Sequence, residues 1–180
     1  MTAPTSLLSE RLLLRRPTLS DASAIFSGYA HDAQVTRFLG WPRHRQLEDT
    51  LGFLRFCEQS WDMNGVGAFL IFDRSGSELL GSTGLELEVE RQAATGYVLK
   101  ESAWGKGYAS EALGAMVALA RTLPIRGIYA LCHTQHRASA HVLEKTGFRF
   151  DTRLTSHTEF PNLDPGRKQD VLRYTLQLQG

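Results

Sequence analysis

Two glycines, Gly105 and Gly107, stand directly before an amphipathic stretch in the string ATGYVLKESAWGKGYASEAL (94–113). A strand that runs through such a pair into a helix can turn tightly and bring bare backbone against a ligand. The unpaired N–H groups of the first helical turn then point outward, with the positive end of the helix dipole behind them. That construction receives phosphate groups. It is neither a P-loop, which needs a following Lys-Ser or Lys-Thr at fixed spacing, nor a dinucleotide fingerprint, which needs a third glycine. Further along lies QHRASAHVLEKTGF (135–148), where Ser139 offers a hydroxyl either as a proton donor or as a helix N-cap. Upstream, Glu86 and Glu88 alternate with Leu85, Leu87 and Val89. They read as candidate bases acting through water, or as the solvated face of a strand.

These residues need elements to hold them. Leu12 to Arg16 reads as a strand, stopped by Pro17, and Ser20 or Asp21 caps a short helix to about Tyr29. Residues 31–45 have no clean period. A helix from about Gln46 to Asn64 follows, with Leu47, Leu51, Leu54 and Trp61 on its apolar face. Strands are predicted over Ala68–Asp73, Leu79–Glu90 and Ala93–Lys100. A helix is predicted over Ala109–Leu123, a strand over Ile128–Thr134, and a short helix over Ser139–Thr146 closed by Gly147. Closing strands span Arg149–Ser156 and Val171–Leu178. Hairpins, then strand–helix–strand–helix, then two more strands give a mixed α/β sheet rather than a doubly wound one. The 180 residues show no repeat or linker, so residues 1–180 read as one domain.

The net charge of +1 gives no long-range attraction to nucleic acid or anionic lipid. The apolar runs are too short to cross a membrane, and the N-terminus shows no signal-type apolar core. Cys57 and Cys132 stand in unrelated contexts and read as reduced core residues of a cytoplasmic protein. The six histidines lack metal-ligand spacing, so no metal is expected.

The start SERLLLRRPTLSDA, the glycine-loop string, ASAHVLEKTGF and the terminal KQDVLRYTL together resemble the GNAT superfamily of N-acetyltransferases. The likeness is to the branch of ribosomal-protein N-terminal acetyltransferases, and it covers nearly the whole chain. The resemblance implies a mostly antiparallel sheet splayed between two parallel strands and flanked by helices. The V-shaped slot would lie between Tyr97–Leu99 and Ile128–Thr134. It implies acetyl-CoA as cosubstrate, its pantetheine arm in the slot and its pyrophosphate on the backbone from Gly105 through Lys106, Gly107, Tyr108 and Ala109 to Ser110. A freed N–H around Val98 and Leu99 would face the thioester carbonyl. Trp104 stands where many relatives carry Gln or Arg, and the side chains of Lys106 and Tyr108 could add contacts. His136 replaces the usual Asn that bonds pantetheine. Leu143 replaces the usual proton-donating Tyr, for which Ser139 is the branch's substitute. No carboxylate stands at Ala94 or Thr95, where histone-type relatives keep their base.

A missing fixed base suits a weakly basic amine. A peptide α-amine titrates near ~7.7–8.0 and a lysine side chain near ~10.4, so deprotonation costs differ by about 3.5 kcal/mol. The expected reaction is therefore direct acetyl transfer to a primary amine, a protein or peptide N-terminus. Small-molecule amines (an amino acid, polyamine or aminoglycoside) and an inactive CoA-binding module remain as alternatives. In the family the irregular segment roofs the acceptor site. That makes Arg37 and Trp41, with His31 and His44, candidate substrate contacts, and Glu159 on the opposite wall a hook for a cationic acceptor. His157 and Arg167 border that wall, and His133 reads as a satisfied strand-end histidine. A homodimer is allowed by the resemblance.

Overall fold

A computed structural model describes residues 2–178. Its centre is an eight-stranded sheet in the order β1-β2-β3-β4-β5-β6-β8-β7. The strands are β1 (Ser6–Leu8), β2 (Leu12–Arg15), β3 (Ala68–Asp73), β4 (Leu79–Leu87), β5 (Gln92–Leu99), β6 (Gly127–His133), β7 (Arg149–Glu159) and β8 (Lys168–Gln177). Neighbours run antiparallel except β5 and β6, which run parallel. That is the mixed sheet expected, with β1 added at one edge and β7 and β8 longer than the sequence pattern suggests.

Helices cover both faces. On one lie α1 (Ala22–Ile25), which continues into a π-helical turn over Phe26–Ala30, and α2 (Leu47–Asn64). Here Ile25, Tyr29, Leu54, Leu70 and Val98 make a buried cluster. On the other lie α3 (Tyr108–Ala120) and α4 (Arg137–Lys145), where Leu113, Met116, Ile128, Leu85 and Leu99 pack. The start of α2 is fixed by Asp49, whose carboxylate accepts the N–H groups of Arg45 and Gln46 at 2.8 and 3.1 Å. Its end is fixed by Gly65 at φ 69°, a left-handed turn that a glycine makes without strain.

Several expectations are corrected. The inward stripe of α2 is Thr50, Leu54, Cys57 and Trp61, and Leu47 is 42% exposed at the first turn. The alternation after Leu85 breaks at Leu87. Val89 lies in a 3-10 turn over Val89–Arg91 and is 83% exposed, because Glu90 and Arg91 adopt left-handed φ and turn the chain back. Ser139 does not cap α4. His136 holds the cap position, and Ser139 sits in the first turn with its N–H donating to the His136 carbonyl. No helix among the described residues is long and apolar enough to cross a membrane.

Candidate active site

The site begins where the sheet comes apart. β5 and β6 are in register only through Gln92–Gly127, Ala93–Ile128 and Ala94–Tyr129. Beyond that point Thr95–Leu99 faces Ala130–His133 without a ladder. The slot therefore lies one or two residues further along β6 than expected, since Ile128 and Tyr129 are still paired.

The register of the β4–β5 hairpin shows which amides face this gap. The Lys100 N–H donates to the Leu80 carbonyl at 2.8 Å, and the Glu88 N–H donates to the Gln92 carbonyl at 2.9 Å. In an antiparallel ladder the residues alternate between facing the partner and facing away. Even-numbered residues of β5 thus direct their backbone to β4; the Thr95 N–H closes the last rung of the parallel ladder on the Tyr129 carbonyl, and Tyr97 and Leu99 direct theirs to the gap. The Val98 amide is turned to β4, so of the two amides expected at the slot only that of Leu99 faces it. The Leu99 carbonyl accepts the Trp104 indole N–H at 2.8 Å, which leaves its N–H as the end of the free edge. Trp104 is thereby a brace between strand and glycine loop.

That loop holds Gly105 at φ 72° and Gly107 at φ 81°, both left-handed, and Gly107 is the N-cap of α3. A Cβ on Gly105 would meet nothing, so the backbone there is open to a ligand. The first-turn amides of Tyr108, Ala109 and Ser110 point outward, as in any helix start. The loop is held from outside by Arg11, a residue the sequence pattern did not single out. Its guanidinium donates to the Lys106 carbonyl at 2.9 Å, pairs with the Glu111 carboxylate at 2.7 Å, and lies 4.8 Å from the centre of the Tyr108 ring. Glu111 also accepts the Arg11 N–H and the Ser9 hydroxyl, each at 2.7 Å. Burial acts to raise the Glu111 carboxyl, but these donors hold it below its ordinary value. The side chain of Lys106 is exposed.

A cavity of about 470 Å³ opens beside the gap. Glu86, Ala94, Gly96 and Val98 line it from the α2 face of the sheet, and Thr95, Tyr97, Ser139 and Leu143 from the α3–α4 face. The cavity therefore passes through the sheet, and the two sides meet at the free edge of β5. Tyr97 and Ser139 lie together: burial raises the Tyr97 phenol, and the Ser139 hydroxyl beside it works against that rise. Glu86 is exposed at the far mouth. Glu88 is engaged elsewhere, accepting the Tyr129 hydroxyl at 2.6 Å. Cys57 and Cys132 are free and line the same cavity. Burial pushes their thiols up to about 12 and about 11, so neither is a thiolate near neutral pH.

The roof is the irregular segment, and Asn162 fastens it. Its amide donates to the carbonyls of Thr36 and Trp41 at 2.8 Å each, and its side-chain oxygen accepts the Arg43 N–H at 2.7 Å. Nothing in the local sequence marks Asn162, because its partners lie over a hundred residues away. Phe38 is stacked against both His133 and His136, with ring centres 5.0 and 4.8 Å away, and Phe160 meets His133 edge-on. His133 is satisfied as expected. Its Nδ1 accepts the Gln135 N–H at 3.1 Å, which makes Nε2 the protonated nitrogen facing the Gln169 carbonyl at 2.7 Å. His136 lines the cavity; burial, then the neighbouring His133, lowers its imidazole below the ordinary value. Trp41 also lines the cavity. Arg37 lies over the outside of the Phe38 ring, and Glu159 accepts the Gly166 N–H at 2.8 Å; neither is on the cavity wall. His31 and His44 hold each other in the roof, His31 Nδ1 lying 2.9 Å from the His44 carbonyl.

A sheet parted at its one parallel pair, with a glycine-led helix beside the opening, defines an acyltransferase scaffold. Residues 11–149 match the model of the acetyltransferase (GNAT) domain, and the chain belongs to that family of N-acetyltransferases. It is 31% identical over 145 residues to the N-acetyltransferase YoaA of Bacillus subtilis, spanning 78% of this chain and 81% of that protein. Among solved structures it resembles RimL, the ribosomal L7/L12 alpha-N-protein acetyltransferase in complex with coenzyme A. The TM-score is 0.83 at 23% identity, covering 99% and 98% of the two chains. It also resembles the microcin C7 self-immunity acetyltransferase MccE in complex with acetyl-CoA and AMP, with a TM-score of 0.85 at 16% identity and 97% of each chain covered. These two likenesses show the fold.

Proposed function

We propose that the chain moves an acetyl group from acetyl-CoA directly to a primary amine, with a peptide or protein N-terminus as acceptor. The observation that carries this reading is the termination of the β5–β6 ladder after Ala94–Tyr129. It leaves the N–H groups of Tyr97 and Leu99 without a strand partner at the edge of a cavity that crosses the sheet. A pantetheine arm, which is an extended chain of amides, fits such an edge as an added strand. The open cradle at Gly105 and the first turn of α3 fit a diphosphate. The solved complexes of RimL with coenzyme A and MccE with acetyl-CoA support the same cosubstrate.

Acetyl-CoA supplies an acyl group already activated as a thioester. The chain orients it, polarises it and manages two protons. The Tyr97 N–H, on the part of the free edge that borders the cavity with Ser139, donates to the acyl oxygen as charge grows there, which is worth most in a site that excludes water. Ser139, beside Tyr97, passes a proton to the departing thiolate and regains one from solvent, while the proton lost by the amine leaves through Glu86. Glu86, the one carboxylate on the cavity wall and exposed to solvent, takes the proton from the amine directly or through water. A base so weakly held suits an α-amine, a tenth to a fifth of which is neutral at pH 7 by its pKa of ~7.7–8.0. The raised thiols of Cys57 and Cys132 favour direct attack over an acyl-cysteine.

Acetyl-CoA binding by calorimetry, followed by CoA release with N-terminal peptides, tests the proposal. Saturable release that depends on a free α-amine supports it. Tight acetyl-CoA binding with no acceptor turned over identifies an inactive binding module instead.

A further inference from the structure

The acceptor side of the cavity is walled by aromatic rings from three separate elements. Phe38 and Trp41 come from the roof, Phe53 and Phe56 from α2, and Phe160 from the segment after β7. Phe160 is buried, but the other four are not core residues that happen to border a void. Phe38, Trp41 and Phe53 are half-buried, and Phe56 leaves 60% of its surface exposed on the stripe of α2 next to the buried one. Phe38 is fixed in place by stacking against His133 and His136. Among the cavity-lining residues Glu86 is the only charged side chain, and lysine and arginine are absent.

We infer that this wall selects an acceptor with one reacting amine attached to a large apolar group; the inference rests on the proposed amine acetylation. A polyamine or aminoglycoside needs several carboxylates to receive its spaced cations, and here there is one. An anionic acceptor needs a cation, and there is none. A single ammonium can face Glu86 and the aromatic rings, which attract cations through their faces. The body of the acceptor then covers ring surface that is otherwise left to water, as apolar ligand grooves do.

Phenylalaninamide, glycinamide, a peptide led by serine, and spermidine, each offered with saturating acetyl-CoA, test this. Phenylalaninamide should exceed glycinamide in kcat/KM by about ten- to a hundredfold, the range that an apolar pocket gives. Phe56→Ala should erase most of that margin by raising KM for phenylalaninamide, while glycinamide turnover and acetyl-CoA affinity stay as they were. Since Phe56 is exposed, the variant should fold. Equal or better turnover of glycinamide, the serine-led peptide or spermidine overturns the inference and leaves amine acetylation standing. Failure of every one of these amines to release CoA overturns both.

Discussion

On the α3 side of the gap the surface proposed to hold acetyl-CoA is backbone. It consists of the free N–H groups of Tyr97 and Leu99, two left-handed glycines and the opening turn of a helix. On the α2 side the surface is side chains: rings from α2, the roof and the segment after β7, with Glu86 and His136 among them. The two also differ in how they are held. The glycine loop is gripped by Arg11 from the turn between β1 and β2, and the roof by Asn162 from the loop between β7 and β8. A surface of backbone binds what is common to every reaction cycle, and tolerates change in side chains. A surface of side chains can be altered one residue at a time without disturbing the other arm. The division predicts that substitutions will separate cleanly into those that move acetyl-CoA binding and those that move the acceptor.

The sharpest attack on the backbone arm is Gly107→Val. The new side chain would sit at φ 81° and meet the Arg11 guanidinium, which lies 3.3 Å from the Cβ position. A β-branched residue in that region costs on the order of 1–3 kcal/mol, and relief would displace the helix start itself. Acetyl-CoA affinity should fall about a hundredfold by calorimetry, with circular dichroism unchanged. Retention of wild-type affinity would remove the glycine loop from the binding site.

Ser139→Ala lies where the arms meet and should lower kcat about tenfold or more, the scale of a lost proton donor, while both KM values hold. Tyr97→Phe distinguishes the members of the pair. A matching loss would make the phenol part of the relay, and no loss would leave Ser139 acting alone. Arg11→Ala should weaken acetyl-CoA by about tenfold in KM without altering acceptor KM. Arg11→Lys should recover only part of this, because a lysine cannot hold the Lys106 carbonyl and the Glu111 carboxylate with one planar group. The mirror experiment is Asn162→Ala, which abandons three hydrogen bonds in the roof. A loss of about 1–3 kcal/mol is expected in urea unfolding, with acceptor KM raised and acetyl-CoA affinity kept. If acetyl-CoA affinity fell as well, the arms would not be independent.

The same contrast explains what could be read from the sequence. The backbone arm leaves local marks: Gly105 and Gly107 are adjacent to the helix they open. The gap itself is visible only by likeness, since nothing in the residues of β5 or β6 says where their ladder ends. Which amides face it follows from the register of β4 on β5, a pairing across the hairpin that includes the turn at Glu90. The pattern beyond Leu87 looked like continued strand because alternating residues also fill an irregular turn. The acceptor arm leaves almost no local mark. Phe53 and Phe56 are ordinary helix residues until the roof is laid over them. Ser139, Glu86, His136 and Trp41 do converge on the cavity, whereas Arg37 and Glu159 share its neighbourhood in sequence but make their contacts outside it.

The smallest effect expected is on the acid side of the pH range, and it belongs to the roof and to the start of α4 beside it. His136 is depressed by burial and by the nearby His133, and His44 by burial against the opposing pull of Asp49. The unfolded chain takes up these protons near the ordinary imidazole value of ~6.5, and the folded protein only at lower pH. Between those points the unfolded state holds more protons, so stability rises with pH and is lost as pH falls below about 6.5. Urea midpoints measured at pH 7 and pH 5.5 should therefore differ, the lower pH giving the lower midpoint. His136→Asn removes one of the two rings and should narrow the difference. The residual slope should come from His44, which also lies 2.8 Å from the Thr50 hydroxyl. Acetyl-CoA affinity of the wild-type protein at pH 5.5 then reads the coupling between arms directly. If the backbone arm is independent, affinity should persist while the roof loosens. A parallel decline in both would mean that His136 joins the two arms rather than belonging to one.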